Sequence, residues 1–203
     1  MARRKEHTHA QIRQMAIDAV VVHLQSDSLN NLSLRKVATQ IGYVPSTLIN
    51  IFGSYQYLLL AVSEQTLTQL YQILVKIAQD DPTETIVAMA IGYSQFAKQQ
   101  PQCFRLMFEL VMPDDMPLPD EQALRIQALF QLIDIQLLKR FPASTRPQRE
   151  LMSRVIWSGI HGLTMLALDD KLFAEQVSLS AMLTSQVQHY LIGIETKKEL
   201  ICF

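Results

Sequence analysis

The chain has 203 residues, is 49% hydrophobic and 18% charged, and carries a formal net charge of −1. That length and balance suit a globular protein with a sizeable core and exclude a disordered polymer. Cys103 and Cys202 make neither a metal-spacing motif nor a secretory disulfide framework, so a reducing compartment is expected.

The basic opening MARRKEHTHA lacks the apolar stretch of a signal peptide. No run approaches about 18 uninterrupted apolar residues, so a membrane span is not expected and a cytoplasmic protein is. A first helix is predicted from about Thr8 to Gln25, with Ile12, Met15, Ala16, Ala19 and Val22 on one face. Asp27 to Asn31 is a polar loop. Ser33 then reads as the N-cap of a short helix whose stripe is Leu34, Val37, Ala38 and Ile41. Gly42 supplies the left-handed residue that ends it. A second short helix starts at Pro45, where a missing amide proton costs nothing. It is expected to bury Val44, Leu48, Ile51 and Phe52 and to leave Ser46, Thr47 and Asn50 outward. Two short helices crossed at a glycine turn form the geometry that seats one of them in a DNA major groove.

A long helix is expected from Tyr55 to roughly Gln79, with Leu59, Val62, Thr66, Leu70, Ile73 and Ile77 inward, and Asp80-Asp81-Pro82 stops it. Helices follow at Thr83–Lys98 and Cys103–Met112, then the loop Pro113–Glu121. Ala123–Phe141 is amphipathic, with Leu124, Ala128, Leu132, Ile135 and Leu138 as its stripe. Pro142 to Pro147 connects it to Gln148–Leu168 and Lys171–Ile194. No period-two run of strand length persists, so the chain reads as all-α. The division expected is an N-terminal three-helix domain, residues 1–54, and a larger helical domain, residues 55–203.

Charge is divided unevenly. Residues 1–60 hold six Lys/Arg against three acids, a formal +3, and the remaining 143 hold twelve against sixteen, a formal −4. A basic head on an acidic body fits a nucleic-acid partner. Free amides at both short helices, near Ser33 and Pro45, suit phosphates. Arg35 and Lys36 lie in the first turn behind Ser33, and Arg3, Arg4 and Lys5 form a basic arm. Arg13 reads as an ordinary solvated side chain. Tyr43, Ser46, Thr47 and Asn50 are the exposed groups of the second short helix; Asn50 pairs with an adenine edge if it faces the bases and is solvated otherwise.

The stretch SLRKVATQIGYVPSTLINIFGSYQYLLLAV resembles the DNA-binding domain of TetR-type (TetR/AcrR) transcriptional regulators through Ser33, Val37, Ala38, Gly42, Thr47, Leu48, Phe52, Ser54, Leu58 and Leu59. WSGIHG, Trp157 to Gly162, also resembles a Trp…His-Gly element of one subgroup. The resemblance implies a helix-turn-helix head, DNA contacts at Pro45, Ser46, Thr47 and Ile49, a homodimer, and a small-molecule effector site in the body. Where that family commonly has Tyr, His and Lys, this chain has Ile49, Ile51 and Tyr55. The change removes phosphate contacts, leaves a Tyr55 hydroxyl, and offers Ile49 to a thymine methyl; a shallow salt dependence is expected.

Phe96, Cys103, Phe104, Met107, Phe108, Phe130 and Ile133 are the expected effector lining, joined by Trp157, His161 and Met165. At helical spacing the same residues also suit a plain core, and His161 suits packing or a subunit interface. The last two helices are apolar on more than one face, so Ile160, Leu163, Leu179, Met182, Leu183, Val187 and Tyr190 are assigned to a dimer interface. Gly159 and Gly162 would cost roughly 1 kcal/mol each on an exposed helix, which implies close helix contact there. The scattered histidines, with no phosphate loop and no nucleophile constellation, argue against an enzyme, a metal or a cofactor. The function expected is a ligand-responsive regulator, a repressor releasing a palindromic operator on binding an apolar or aromatic effector. The alternative is a helical regulator that has lost specific DNA binding and acts through protein partners.

Overall fold

The computed structural model describes residues 7–113, 119–172 and 176–196. Among these residues the regular elements are all helical: α1 (His9–Leu24), a single 3-10 turn (Leu29–Asn31), α2 (Leu34–Gln40), α3 (Pro45–Phe52), α4 (Tyr55–Leu74), α5 (Pro82–Gln99), α6 (Pro101–Glu109), α7 (Asp120–Arg140), α8 (Arg146–Leu168) and α9 (Leu179–Thr196). The all-α expectation holds.

Caps set most boundaries. Thr8 and Gln11 form a reciprocal capping box at α1, and Thr145 and Gln148 form another at α8. Ser33 Oγ accepts from the Lys36 amide at 3.3 Å, and Asp81 Oδ1 accepts from the amides of Thr83 and Glu84 at 2.7 and 3.0 Å. Those bonds, led by the one from Glu84, hold the Asp81 carboxyl below its usual range. Ser178 Oγ accepts from the Ala181 amide at 3.2 Å, so α9 starts at Leu179 rather than at Lys171. At the end of α2, Gly42 adopts φ +77° while Tyr43 N–H donates to Ala38 O and Gly42 N–H to Thr39 O, the paired bonds of a Schellman turn. The α4 helix stops at Leu74 instead of Gln79, and α6 at Glu109 instead of Met112.

Two compact units result. The first takes in residues up to Thr68 together with Gln100–Pro119; the second takes in Gln69–Gln99 and the chain from Asp120. In the first unit Leu58, Leu59, Ala61 and Val62 of α4 and Cys103 and Leu106 of α6 share a core with Ile12, Ala16, Val20, Val37, Ala38 and Leu48. Three short helices alone present too little apolar surface to enclose a core, and α4 and α6 complete it. Two expected inward residues are outward: Val22 is 54% exposed and Val44 is 60% exposed.

In the second unit α5, α7, α8 and α9 pack on one another, with Ile86, Phe96, Leu137, Ile156, Leu183, Val187 and Leu191 at the centre. The stripe expected on α7 is corrected. Leu132 is buried, but Leu124, Ile135 and Leu138 are exposed, and Leu137 turns inward instead. Ile73 of α4 is likewise exposed.

Candidate nucleic-acid interface and effector cluster

The α3 helix is seated by Leu48, which has no exposed surface. Around it Pro45, Ser46, Ile49 and Asn50 are exposed, Thr47 and Ile51 are half-buried, and Gly53 beyond the helix is exposed. The outward stripe therefore carries one hydroxyl, one amide and an aliphatic surface, and no charge. Ser33, Arg35 and Lys36 are exposed at the start of α2, and Lys36 Nζ donates to the Asn31 carbonyl. The Tyr43 hydroxyl is hydrogen-bonded to His7 Nδ1 at 2.8 Å, which ties the chain ahead of the α1 cap to the turn between α2 and α3. Tyr55 is placed differently from expectation. Its hydroxyl is buried without a hydrogen-bond partner, and the burial raises its pKa. Arg3, Arg4 and Lys5 lie outside the described residues.

The expected effector residues fall in both units. Cys103 belongs to the first unit's core, where burial pushes its thiol up to about 11; Phe104 is fully buried with its ring 5.2 Å from that of Phe108, and Met107 is half-buried. Phe96, Phe130, Ile133, Trp157, His161 and Met165 lie in the second unit. There the rings meet. Phe130 stands edge-on to Trp157 at 5.5 Å, and Trp157 stacks on His161 at 5.0 Å with an 18° interplanar angle. His161 Nδ1 is hydrogen-bonded to the Tyr93 hydroxyl at 2.9 Å. Burial lowers the His161 pKa and raises that of Tyr93, so at neutral pH the pair is an uncharged imidazole beside an uncharged phenol.

Tyr93 is not among the residues the sequence singles out, although it sits three residues before Phe96 on the buried face of α5. Beside Phe130 an open groove of about 420 Å³ runs between α7 and α8. Arg154 covers the Phe130 ring at 3.5 Å, and Arg149 is held by Asp134 at 3.0 Å and by the Ser144 carbonyl at 2.7 Å. Among the described residues no group of three or more His, Cys, Asp or Glu is placed to hold a metal ion.

Residues 86–190 match the model of the tetracycline repressor-like C-terminal domain. The chain belongs to the TetR family. Membership carries the general role of that family, a ligand-responsive, DNA-binding transcriptional regulator. Solved structures of similar fold include a protein of unknown function from Rhodococcus sp. RHA1, with TM-score 0.77, 19% identity, and coverage of 94% of this chain and 98% of the other. They also include a TetR family transcription regulator from Marinobacter aquaeolei VT8, with TM-score 0.61, 18% identity, and coverage of 89% and 95%. NalD of Pseudomonas aeruginosa, the secondary repressor of the MexAB-OprM multidrug efflux pump, gives TM-score 0.58, 15% identity, and coverage of 88% and 95%. A comparison with curated proteins finds no match.

Of the residues assigned to a dimer interface, Ile160, Leu183 and Val187 are buried in the chain's own core, and Leu163, Leu179, Met182 and Tyr190 are half-buried. The apolar residues that α8 leaves uncovered are Leu151, Val155 and Leu166, at 48%, 41% and 43% exposure. Gly159 accommodates the α9 side chain of Gln186, since a Cβ added there would come within 2.4 Å of its Nε2. An added Cβ at Gly162 meets nothing within 4 Å. By length and composition α8 could cross a membrane, with a mean hydropathy of 1.2 in a window only 28% buried. An apolar helix this poorly covered by its own chain equally fits a helix that meets another subunit.

Proposed function

We propose that this chain is a cytoplasmic repressor that binds a palindromic operator as a homodimer and releases it when a small apolar or aromatic effector enters the body. The observation that carries the reading is the uncharged outward stripe of α3, with Ser46 and Asn50 exposed on a helix pinned from behind by Leu48. Such a stripe suits base edges, with hydroxyl and amide groups for hydrogen bonds and Ile49 for a thymine methyl. Residues 1–54 carry DNA recognition and residues 55–203 carry effector binding and dimerisation. The uncovered α8 face of Leu151, Val155, Gly162 and Leu166 supports the two-fold assembly, and two heads related by such an axis read a palindrome. The ring stack of Phe130, Trp157 and His161 with Tyr93 supports an aromatic effector, because its buried polar groups are neutral and its faces are flat.

A footprint on DNA flanking the chain's own gene tests the reading at low salt. A protected palindrome is expected, and Thr47→Ala and Asn50→Ala are expected to weaken protection without unfolding the chain. The alternative, a regulator acting through protein partners, gains its support from Val44 and Ile49, which are exposed and apolar, and from the buried Tyr55 hydroxyl. Absence of any protected palindrome at low salt would favour it.

A further inference from the structure

We propose that Arg13 of α1 is a DNA-backbone contact, which extends the duplex-facing surface from α3 across Phe52 onto α1. Sequence alone made Arg13 a solvated side chain; the structure sets it over an aromatic ring. Its guanidinium carbon lies 5.2 Å from the centroid of the Phe52 ring, and the residue is exposed. Phe52 follows the exposed Ile49 by one helical turn and precedes the exposed Gly53, so its ring borders the outward stripe of α3. Arg13 thereby lies at the rim of a surface that has no charge of its own.

A neutral stripe can discriminate bases, but it supplies none of the cation–phosphate attraction on which duplex affinity rests. The cation beside it has the right form. A guanidinium stacked on a ring keeps its edge N–H groups free for the paired oxygens of a phosphate, and the stacking removes rotamer freedom before binding. The ion pairs described in this unit join His23 to Asp27 and Arg105 to Glu109 and leave Arg13 out. Asp18, the acid nearest in sequence on α1, accepts a hydrogen bond from Gln14 at 2.8 Å.

The inference rests on the DNA-binding reading above, and the experiment separates the two. Binding of the full chain to a labelled duplex of unrelated sequence is measured over a salt series, for wild type, Arg13→Gln and Arg13→Lys. One phosphate contact contributes about 0.9 to the slope of log affinity against log salt. The Gln variant is expected to be shallower by about 0.9 per head, so about 1.8 for a bound homodimer, while the Lys variant keeps the wild-type slope. A role confined to stacking on Phe52 would alter the melting temperature and leave the slope alone. As a readout that needs no variant, phenylglyoxal modification of the wild-type protein is followed peptide by peptide. Duplex is expected to slow modification of Arg13 several-fold. Equal slopes for wild type and Arg13→Gln overturn the proposal. Should the Gln variant fail to fold, an Arg13 modified equally fast with and without duplex overturns it instead. Wild-type protein that binds no duplex at low salt overturns the DNA-binding reading, and this proposal with it.

Discussion

Truncating Leu151 and Val155 together to alanine tests whether the outward face of α8 joins two subunits. Full burial of a leucine or valine stabilises by about 1.5–3 kcal/mol, and these two retain 48% and 41% of their surface exposed in the single chain. Covering that remainder is worth about 1 kcal/mol per side chain. A two-fold interface contains each residue twice. With allowance for the methyl that alanine keeps, the double variant should lose about 2–4 kcal/mol of association, or roughly 30- to 1000-fold in the dimer dissociation constant. Sedimentation equilibrium over a concentration series measures it, and a circular dichroism melt at low concentration reports the fold of the single chain. Ile160→Ala is the contrasting variant. Ile160 is 3% exposed inside the chain's own core, so its truncation should cost about 2–5 kcal/mol of folding stability. A double variant with an unchanged dissociation constant would refute the assignment of that face.

Burial holds the His161 pKa below its ordinary value, so the folded state binds fewer protons than the unfolded state between the two pKa values. Stability contributed by the neutral imidazole is complete above the unfolded pKa and declines as pH falls below it. Wild type should therefore lose more melting temperature than His161→Gln when pH drops from about 7.5 to 5.5. Cys103, with its thiol pushed up to about 11 by burial, should be alkylated by iodoacetamide many-fold more slowly in the folded chain than in denaturant, as read on its own peptide by mass spectrometry. Asn50→Ala should flatten discrimination between operator and unrelated DNA with little change in salt slope, whereas Arg35→Ala should reduce the slope by about one per head, about two for the bound homodimer, and leave discrimination intact. Paired salt series on the two duplexes check both.

The head was legible because its signals are local. Ser33, Gly42 and Pro45 each mark a backbone event within a few residues, and the structure puts a cap, a left-handed turn and a helix start at those places. Two further local signals stand in the sequence, the Thr-x-x-Gln boxes at Thr8 and Thr145, and the second explains why α8 begins before Gln148. Faces were harder to read. On α7 apolar residues surround the helix, and period alone does not say that Leu137 faces inward while Leu138 faces out. On α8 and α9 the same ambiguity led to Ile160, Leu183 and Val187, which are apolar because the body itself covers them. The Tyr93–His161 pair spans 68 residues, and no local pattern encodes a bond of that range.

Charge and outward polar groups fall on different elements of the head. Its outward α3 stripe is neutral, its exposed cations stand on α1 and on the first turn of α2, and the Tyr55 hydroxyl is turned inward. On the proposed reading, affinity and discrimination sit on different elements. Backbone attraction from the flanking helices would bring the stripe to any duplex, while Ser46, Thr47, Ile49 and Asn50 would decide which sequence retains it. An arrangement of this kind binds weakly as a single head, because few phosphates are neutralised. It gains most from being paired, since linking two weak heads raises the effective concentration of the second once the first is bound. The neutral stripe of α3 and the uncovered apolar face of α8 are then two sides of one requirement: the less each head holds DNA alone, the more its function depends on the contact that doubles it.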